Sequence, residues 1–225
     1  MTRHIVALGG GADSDEGTAK LLDYVTDLTQ KERPRICFLP TAAGDANEAV
    51  VRFYETWAGR GELCHVKFFP WPPPRLREHM LSQDVVVVSG GNTANMLAIW
   101  RLHGLDAVLH EAWERGVVLT GGSAGMNCWF EACVTDSFGP QLEALHDGLA
   151  FLAGSACPHY DREELRRPTY RRLVDDGFPT GVAADDGVAL HYEGTELAEA
   201  VSVREGAHAY RVESGAETPL PTRWL

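Results

Sequence analysis

A serine lies among small residues in the segment Gly121-Gly122-Ser123-Ala124-Gly125. The apolar run 117–120 before it predicts a short buried strand, and residues 126–130 after it predict the start of a helix. A serine at a sharp strand-to-helix turn is typical of a nucleophile elbow, which lifts the hydroxyl clear of the sheet. The free N–H groups of the helix N-terminus would then stabilise an oxyanion.

The glycines around Ser123 fit this interpretation, because a Cβ beside the serine is expected to collide with neighbouring strands. The five-residue pattern leaves one alternative open. In that alternative the segment is a tight turn between a strand and a helix, and Ser123 is only the helix N-cap.

A serine nucleophile needs a base, and the base needs a group that orients it. Among nine histidines, His159 stands out because Pro158 before it favours an extended backbone at a strand end. A purely structural role for its ring stays open. Asp186 is the candidate acid, since it lies on a turn between two apolar strands where burial is expected, whereas Asp185 is expected to be solvated.

Cysteines and glycines offer two competing kinds of site. Cys157, beside His159, is an alternative nucleophile, although the five scattered cysteines mainly predict buried free thiols in a reducing compartment. No CxxC pair or His–Cys cluster has zinc spacing, so we expect neither a metal nor an organic cofactor. The glycine run 9–11 resembles a phosphate loop but lacks the GxGxxG and GK[ST] spacings.

The elements that must position these residues alternate along the chain. Strands are predicted over 4–8, 35–41, 65–69, 85–88 and 117–120, and helices over 15–31, 45–58, 94–102 and 105–115. This alternation predicts an α/β fold with a doubly wound, mostly parallel sheet. A glycine turn over 90–93 follows the unbroken valine strand, at the carboxyl edge where such sheets place their sites.

The second half of the chain shows a weaker pattern. It predicts a strand ending within 156–160, a basic helix over 163–174, and strands over 181–184 and 188–192. The alternation over 198–212 predicts a small antiparallel C-terminal part.

Length and charge limit the function classes. The 225 residues suffice for one α/β domain but not for two of ordinary size, so we expect a single domain over 1–225. A formal net charge of −12 argues against nucleic-acid and anionic-membrane partners. No apolar run approaches the ~20 residues of a membrane span, and no signal-peptide core follows Met1. We therefore expect a cytoplasmic protein.

Four short motifs together resemble the peptidase E family of serine peptidases. They are the run 90–93 (GGNT), the elbow 121–125 (GxSAG), the Pro158-His159 step and Asp186-Gly187, in the order and spacing of that family. The family includes the α-aspartyl dipeptidases and, more distantly, cyanophycinase. The similarity covers nearly the whole chain, and GGNT followed by GxSAG is more specific than either motif alone.

The resemblance implies a three-layer α/β/α fold related to the class I glutamine amidotransferases, with serine replacing their elbow cysteine. It implies that Ser123 is the nucleophile, His159 the general base and Asp186 the third member, where the best-known relatives have glutamate. Either carboxylate can hold the imidazole in the required tautomer. The oxyanion donors would be the backbone N–H groups of Gly91 and Ala124.

The chain departs from the family pattern at the position that determines substrate preference. Aspartyl dipeptidases of the family bind the acidic side chain with an arginine on the helix after the base, and here Thr169 aligns with it, with arginines nearby. Asp136 falls on a family aspartate that would support the site, although it fits a helix-end cap equally well. The resemblance also implies a homodimer and a C-terminal element that a chain ending at Leu225 is expected to lack.

These observations favour a serine exopeptidase that acts on short peptides through an acyl-enzyme. Peptidase chemistry is better supported than Asp-X dipeptidase specificity, because the aligned arginine is missing. Two alternatives stay open: a catalytically silent relative that keeps the fold as a binding module, and a differently specific amidase or carboxypeptidase-like enzyme.

Overall fold

Five parallel strands form the larger of two sheets, together with three later strands at one edge. The computed structural model describes residues 2–225. In the order β14-β11-β10-β1-β5-β4-β2-β3, the strands are β1 (His4–Leu8), β2 (Arg35–Leu39), β3 (Glu62–His65), β4 (Val85–Val88), β5 (Val118–Gly122), β10 (Val188–Glu193), β11 (Glu196–Ser202) and β14 (Thr222–Trp224). Strands β1 to β5 pair in parallel, and β10 runs antiparallel to both β1 and β11.

The second sheet has six strands and begins directly after the elbow. In the order β13-β12-β9-β8-β6-β7, its strands are β6 (Phe130–Thr135), β7 (Glu143–Leu145), β8 (Leu152–Cys157), β9 (Gly181–Ala184), β12 (Ala209–Glu213) and β13 (Ala216–Leu220). Its centre is parallel and its outer strands are antiparallel. The expectation of a small antiparallel C-terminal part understated this layer, and the residues 198–212 divide between the two sheets.

Helices cover the larger sheet and one face of the second. They are α1 (Asp15–Asp27), α2 (Asn47–Thr56), α3 (Leu76–Leu81), α4 (Thr93–Leu102), α5 (Leu105–Glu114), α6 (Ala124–Asn127) and α7 (Arg166–Asp175), with a 3₁₀ turn at Thr41–Ala43. Side-chain caps begin two of them, because Ser14 Oγ accepts from Gly17 N–H and Asn92 Oδ1 from Asn95 N–H. Within residues 2–225 no helix is both long and apolar enough to cross a bilayer.

The strands of the larger sheet are apolar on both faces, so the sheet is covered on both sides. Val85 and Val87 pack into a cluster with residues of α1 and α2. Val86 and Val88 pack into a different cluster, which holds residues of α3, α4 and α5 and also reaches the second sheet. A third cluster lies between the second sheet and α7. The result is an α/β fold in which alternate residues of one strand belong to opposite cores.

The two sheets meet at the carboxyl ends of β1, β8 and β9. His159 N–H, just after β8, donates to the Gly9 carbonyl at 3.0 Å, and Tyr160 N–H donates to the Ala184 carbonyl at 3.1 Å. After β9 the chain crosses through residues 185–187 into β10 of the larger sheet. The loops that carry the candidate catalytic residues are therefore joined by backbone hydrogen bonds.

Candidate active site

Ser123 lies at the junction between β5 and the short helix α6. Its backbone has φ 58° and ψ −115°, a positive φ that only a small minority of non-glycine residues adopt. Conformations of this kind cost about 1–3 kcal/mol and persist where the surrounding structure imposes them. Ser123 is the N-cap residue of α6 by position, but its side chain makes no capping hydrogen bond. Its half-buried hydroxyl is therefore not used to cap the helix.

Two of the elbow glycines are required by close packing, and one is not. A Cβ at Gly121 would lie 2.6 Å from the Val88 carbonyl oxygen, and one at Gly125 would lie 2.5 Å from the same atom. A Cβ at Gly122 would meet only ordinary contacts, the nearest at 3.7 Å from Leu8 Cβ. The expectation that every flanking position excludes a Cβ is thus wrong at Gly122, which faces the cavity rather than a neighbouring strand.

His159 and Asp186 form a short hydrogen bond. The His159 Nδ1 atom lies 2.6 Å from Asp186 Oδ1, and the two side chains are about one-fifth exposed. With Nδ1–H donating to the carboxylate, the lone pair at Nε2 is left to accept a proton. His159 has φ 54°, so its backbone is left-handed rather than extended as Pro158 suggested. The turn is held by the hydrogen bond from His159 N–H to Gly9.

Gly10 provides the space in which this pair packs. A Cβ at Gly10 would overlap Asp186 Oδ1 and would lie 2.7 Å from His159 Nδ1. Gly11, the next residue, would meet nothing within 4 Å. The glycine run at the end of β1 is accordingly part of the candidate active site. A glycine run at a strand end was the only sequence signal for it.

Asp161 and Arg204 hold the loop that carries Asp186, and no motif in the sequence indicated either residue. The Asp161 carboxylate accepts from Asp186 N–H at 3.0 Å. Arg204 forms an ion pair with Asp161 and donates from Nε to the Asp186 carbonyl at 2.9 Å. The loops after β8 and β9 are therefore cross-linked on both sides of Asp186. Arg204 lies far along the chain in an unremarkable turn, so no local pattern could have indicated it.

Ser123 and His159 line the same cavity, which has a volume of about 330 Å³. The rest of its lining is mostly apolar or glycine, from β1, α1 and the turns after β4 and β5: Leu8, Gly10, Gly11, Ala12, Thr18, Leu21, Leu22, Gly90 and Gly122. Among the described residues 2–225, no hydrogen bond joins Ser123 Oγ to the imidazole. Catalytic hydrogen bonds are often longer in ligand-free structures and tighten when substrate binds.

The glycine turn after β4 lies directly beside the serine. A Cβ at Gly90 would be 3.4 Å from Ser123 Cβ and 3.8 Å from its Oγ. Gly91 has φ 130°, and a Cβ there would overlap the Ala42 carbonyl, so only glycine fits. Ala124 is the first residue of α6, where an N–H has no acceptor within its own helix. Both candidate oxyanion donors thus belong to segments that flank Ser123.

Asp185 is buried, contrary to the expectation of a solvated turn residue. Its side chain points away from His159, and Oδ2 accepts from His208 N–H at 2.9 Å and from the Tyr210 hydroxyl at 3.5 Å. Its other oxygen, Oδ1, is buried without a hydrogen-bond partner among residues 2–225. Burial raises the pKa of this carboxyl above its ordinary value. Asp185 is buried because the chain passes from the second sheet to the larger sheet at this turn, and the loop before β12 covers it.

The two other candidates from the sequence lie in different settings. Cys157 is fully buried, its Sγ lies 3.7 Å from the Pro158 carbonyl, and burial raises the pKa of the thiol to about 12. It therefore stays protonated at neutral pH and does not favour a thiol mechanism. Asp136 is exposed at the end of β6, not at a helix end, and the structure does not bring it to the His159–Asp186 pair.

The arginines near Thr169 are mostly engaged elsewhere. Arg166 is buried and donates to Glu163 and to the Val134 carbonyl. Arg167 forms an ion pair with Glu217, and its guanidinium lies 5.4 Å from the centre of the Tyr160 ring. Among the described residues 2–225, no Asp, Glu, Lys or Arg side chain lines the cavity beside Ser123. The site therefore lacks an evident cationic group for an acidic side chain.

Comparison with known proteins identifies relatives over most of the chain. The model of peptidase family S51 matches residues 5–200. An uncharacterized peptidase, YgaJ, from Bacillus subtilis (strain 168) is 46% identical, with 99% of each chain covered. A solved structure of a peptidase from an acI-B1 actinobacterium has a TM-score of 0.72 at 18% identity, covering 99% of this chain and 95% of its own.

A second solved structure, described as a candidate peptidase E protein from Listeria monocytogenes EGD-e, shares the fold. Its TM-score is 0.63 at 16% identity, and the match covers 88% of this chain and 97% of that one. At these identities the two structures show a common fold only. Membership of a family rests on the matches in sequence.

Proposed function

The chain belongs to peptidase family S51 and is a peptidase, and from this membership we propose that it is a serine exopeptidase acting on short peptides through an acyl-enzyme on Ser123. The observation that carries the proposal is the 2.6 Å contact between His159 Nδ1 and Asp186 Oδ1, beside the cavity that His159 shares with Ser123. A serine that shares a cavity with a base oriented by a carboxylate is the arrangement that acyl transfer to a serine uses.

In the proposed mechanism, His159 Nε2 takes the Ser123 hydroxyl proton as Oγ attacks the scissile carbonyl carbon. Asp186 keeps the imidazole in the tautomer with the proton on Nδ1 and stabilises the imidazolium. The N–H groups of Gly91 and Ala124 donate to the oxyanion of the tetrahedral intermediate. His159 then gives its proton to the leaving amine. In the second half of the reaction, His159 takes a proton from water as the water attacks the ester carbonyl. It then returns that proton to Ser123 Oγ as the carboxylic acid product leaves.

The cavity supports a small substrate with an uncharged side chain at the scissile bond. Its volume of about 330 Å³ is near the lower end of ordinary ligand pockets, ~300–1,000 Å³. Leu8, Leu21 and Leu22 supply apolar surface. Asp-X dipeptidase activity is correspondingly less favoured, because Thr169 replaces the arginine of the aspartyl dipeptidases. We propose di- and tripeptides with apolar residues as the substrate class.

Labelling with a fluorophosphonate tests the nucleophile. We expect one equivalent to attach to wild-type protein at Ser123, located by peptide mass spectrometry, and none to attach to Ser123→Ala. Cys157→Ala is the matched control, because the same substitution type removes the alternative nucleophile and should leave labelling unchanged. Label retained by Ser123→Ala, or lost from Cys157→Ala while the protein stays folded, would contradict the assignment.

A library of dipeptides, tripeptides and blocked peptides tests the activity. Hydrolysis of free short peptides, but not of peptides blocked at both ends, supports exopeptidase action. Cleavage of simple amides in their place would favour the amidase alternative. If the folded protein neither hydrolyses any library member nor reacts with the fluorophosphonate, the catalytically silent binding module would be favoured.

Two further parts of the proposal rest on separate grounds. A homodimer follows from the family resemblance, and light scattering at micromolar concentration should give twice the mass of the 24.6 kDa chain. A monomer mass throughout would contradict it.

A cytoplasmic location agrees with the five free thiols. The acidic charge agrees with a peptide substrate rather than a nucleic-acid partner.

A further inference from the structure

Two cysteines and a histidine meet at the outer edge of the larger sheet. Cys37 of β2 and Cys64 of β3 are register partners on parallel strands, and His79 lies on α3 above them. His79 Nε2 is 3.7 Å from Cys64 Sγ and 4.0 Å from Cys37 Sγ. The three ligand atoms all lie within 4.8 Å of one another. Cys37 is buried, while Cys64 and His79 are partly exposed, so an ion could enter from solvent.

A possible fourth ligand atom, the side-chain oxygen of Gln83, lies beside the two cysteines and the histidine. The Gln83 side chain is 6% exposed, and its Nε2 donates to the His79 carbonyl at 2.9 Å and to Ser82 Oγ at 3.1 Å. These two donated bonds fix the amide orientation, which turns Oε1 towards Cys64 Sγ at 3.5 Å. The carbonyl bond also ties Gln83 to the backbone of the helix that carries His79. The amide oxygen is thus held beside the thiols by the helix itself.

We propose that Cys37, Cys64 and His79 bind a thiophilic divalent cation of the Zn²⁺ type, with Gln83 Oε1 in the fourth position. In a tetrahedral site with bonds of ~2.3 Å to sulfur and ~2.0 Å to nitrogen, sulfur and nitrogen ligands are ~3.5 Å apart. The distances of 3.7 and 4.0 Å from His79 Nε2 to the two sulfurs are close to this. Small side-chain movements would complete the geometry.

The charges balance when the ion binds. The two thiols each release a proton to solvent, and the two thiolates neutralise the divalent cation, while the imidazole and the amide bind as neutral ligands. A neutral cluster is compatible with the half-buried position, where an uncompensated charge would be costly. Sulfur and imidazole ligands together favour zinc over magnesium or calcium, which take oxygen ligands.

The proposed metal site lies at the edge of the larger sheet, away from Ser123. In the sheet order β5-β4-β2-β3, the elbow strand is three places from β3, which is the edge strand. A bound ion would connect β2, β3 and α3 at this edge. Its ligands come from three elements, which explains why no zinc spacing is visible along the chain. The inference does not depend on the proposed peptidase mechanism.

Co²⁺ is the probe, since cobalt bound by thiolates gives an intense charge-transfer band in the near ultraviolet and visible bands typical of tetrahedral sites. Full-length protein is freed of metal with a chelator, kept reduced with a phosphine and titrated with Co²⁺. We expect one equivalent to bind with a thiolate band, and Zn²⁺ to displace it. Cys64→Ser and His79→Ala should each weaken binding by more than ~100-fold. His103→Ala is the matched control for His79→Ala, because His103 is exposed outside the cluster.

A measurement on unaltered protein guards against variants that fail to fold. One equivalent of Zn²⁺ should protect Cys64, the most accessible of the five cysteines, from alkylation. It should also raise the melting temperature, while the rate of fluorophosphonate labelling stays the same. Absence of the thiolate band, its survival in folded Cys64→Ser, or alkylation of Cys64 unaffected by Zn²⁺ would overturn the proposal.

Discussion

Asp185 and Asp186 are adjacent carboxylates in opposite environments. The Asp186 side chain reaches His159, while that of Asp185 turns towards the backbone before β12 and the Tyr210 hydroxyl. Val188 N–H donates to the Asp185 carbonyl at 3.2 Å, which closes a turn with Asp186 and Gly187 at its centre. One turn thus supplies both a candidate catalytic group and a buried structural one. The two residues should consequently respond to substitution in different ways.

Asp186→Asn should remove activity without unfolding the protein. An amide in this position would hold the imidazole in the wrong tautomer, and in a well-studied serine peptidase the same change lowers turnover by about 10⁴-fold. The measurement is kcat/KM on the best library substrate, with circular dichroism to check the fold. Asp136→Asn is the matched control, because Asp136 is exposed at the end of β6. Loss of less than ~10-fold would contradict the role of Asp186.

Asp185 should make stability depend on pH. Burial raises the pKa of this carboxyl in the folded state, so the folded protein binds a proton more readily than the unfolded chain. The resulting stabilisation is fully present below the ordinary pKa of 3.8 and is lost as pH rises through the folded-state value.

The test is the free energy of unfolding of wild type minus that of Asp185→Asn, measured by denaturant titration between pH ~4 and ~7. This difference should fall as pH rises through the folded-state pKa of Asp185. Asp186→Asn provides the comparison at the neighbouring position. A difference for Asp185→Asn that is constant across this range would contradict the prediction.

At the scale of elements, the end of β1 determines how closely the two sheets approach the site. Its carbonyl at Gly9 accepts from His159 N–H, and Gly10 leaves room for the His159–Asp186 pair. A Cβ at Gly9 would overlap the Asp185 carbonyl. The first glycine run therefore serves as the surface on which the loops from the second sheet rest.

Gly10→Ala should disable the site, and Gly11→Ala should not. The added methyl group would overlap Asp186 Oδ1 at position 10 but would meet nothing within 4 Å at position 11. Because misplacing a catalytic group by ~1 Å can cost ~10²-fold in rate, we expect at least that loss of kcat for Gly10→Ala. Gly11→Ala should stay within ~3-fold of wild type. Equal activities of the two variants would show that the pair does not require this space.

The sequence predicted most elements of the first half and failed where the pattern was short or ambiguous. Strands β1, β4 and β9 were predicted with their observed bounds, since each is a largely apolar run. The third strand was expected over 65–69 but lies at Glu62–His65. Helix α3 was not predicted, because it is short and directly follows a proline-rich segment. The helix after the elbow ends at Asn127, because Phe130 begins β6. A short apolar run does not distinguish a helix from a buried strand.

The candidate site was only partly accessible to sequence reasoning. Ser123 lies in a local motif, and the aspartate of the 185–187 turn could be found by its position between strands. Whether Asp185 or Asp186 faces His159 depends on how the two sheets dock, as does the burial of Asp185. Arg204 and the Cys37, Cys64 and His79 group come from separate elements, so their proximity exists only in the folded chain.

At the scale of the whole molecule, one cluster of buried side chains includes residues of both sheets. Ile5 and Val86 of the larger sheet belong to the same cluster as Ala156 and Val182 of the second. If the two sheets separated, apolar side chains of both would be exposed to water, which is unfavourable. This shared core supports the expectation of a single domain over 1–225, which stays a prediction.

Unfolding should accordingly occur in one transition. We expect a single calorimetric peak whose van't Hoff enthalpy equals the calorimetric enthalpy per folding unit, with fluorescence and circular dichroism giving coincident midpoints. The experiment should be repeated with Zn²⁺ and with a chelator, because a bound ion would shift the midpoint without dividing the peak. Two resolved transitions would show that the sheets unfold independently and would contradict the single domain.

Ser123 is made earlier than His159 and Asp186, and the three lie on loops that leave different sheets. While the ribosome is still adding β6 to β9, the nascent chain carries the proposed nucleophile but not the base that activates it. A serine hydroxyl without a base is a weak nucleophile at neutral pH. A prematurely terminated chain would be inert for the same reason. If the proposed mechanism holds, hydrolytic chemistry is silent until synthesis has passed Asp186, because only then are the nucleophile, the base and its carboxylate partner all present.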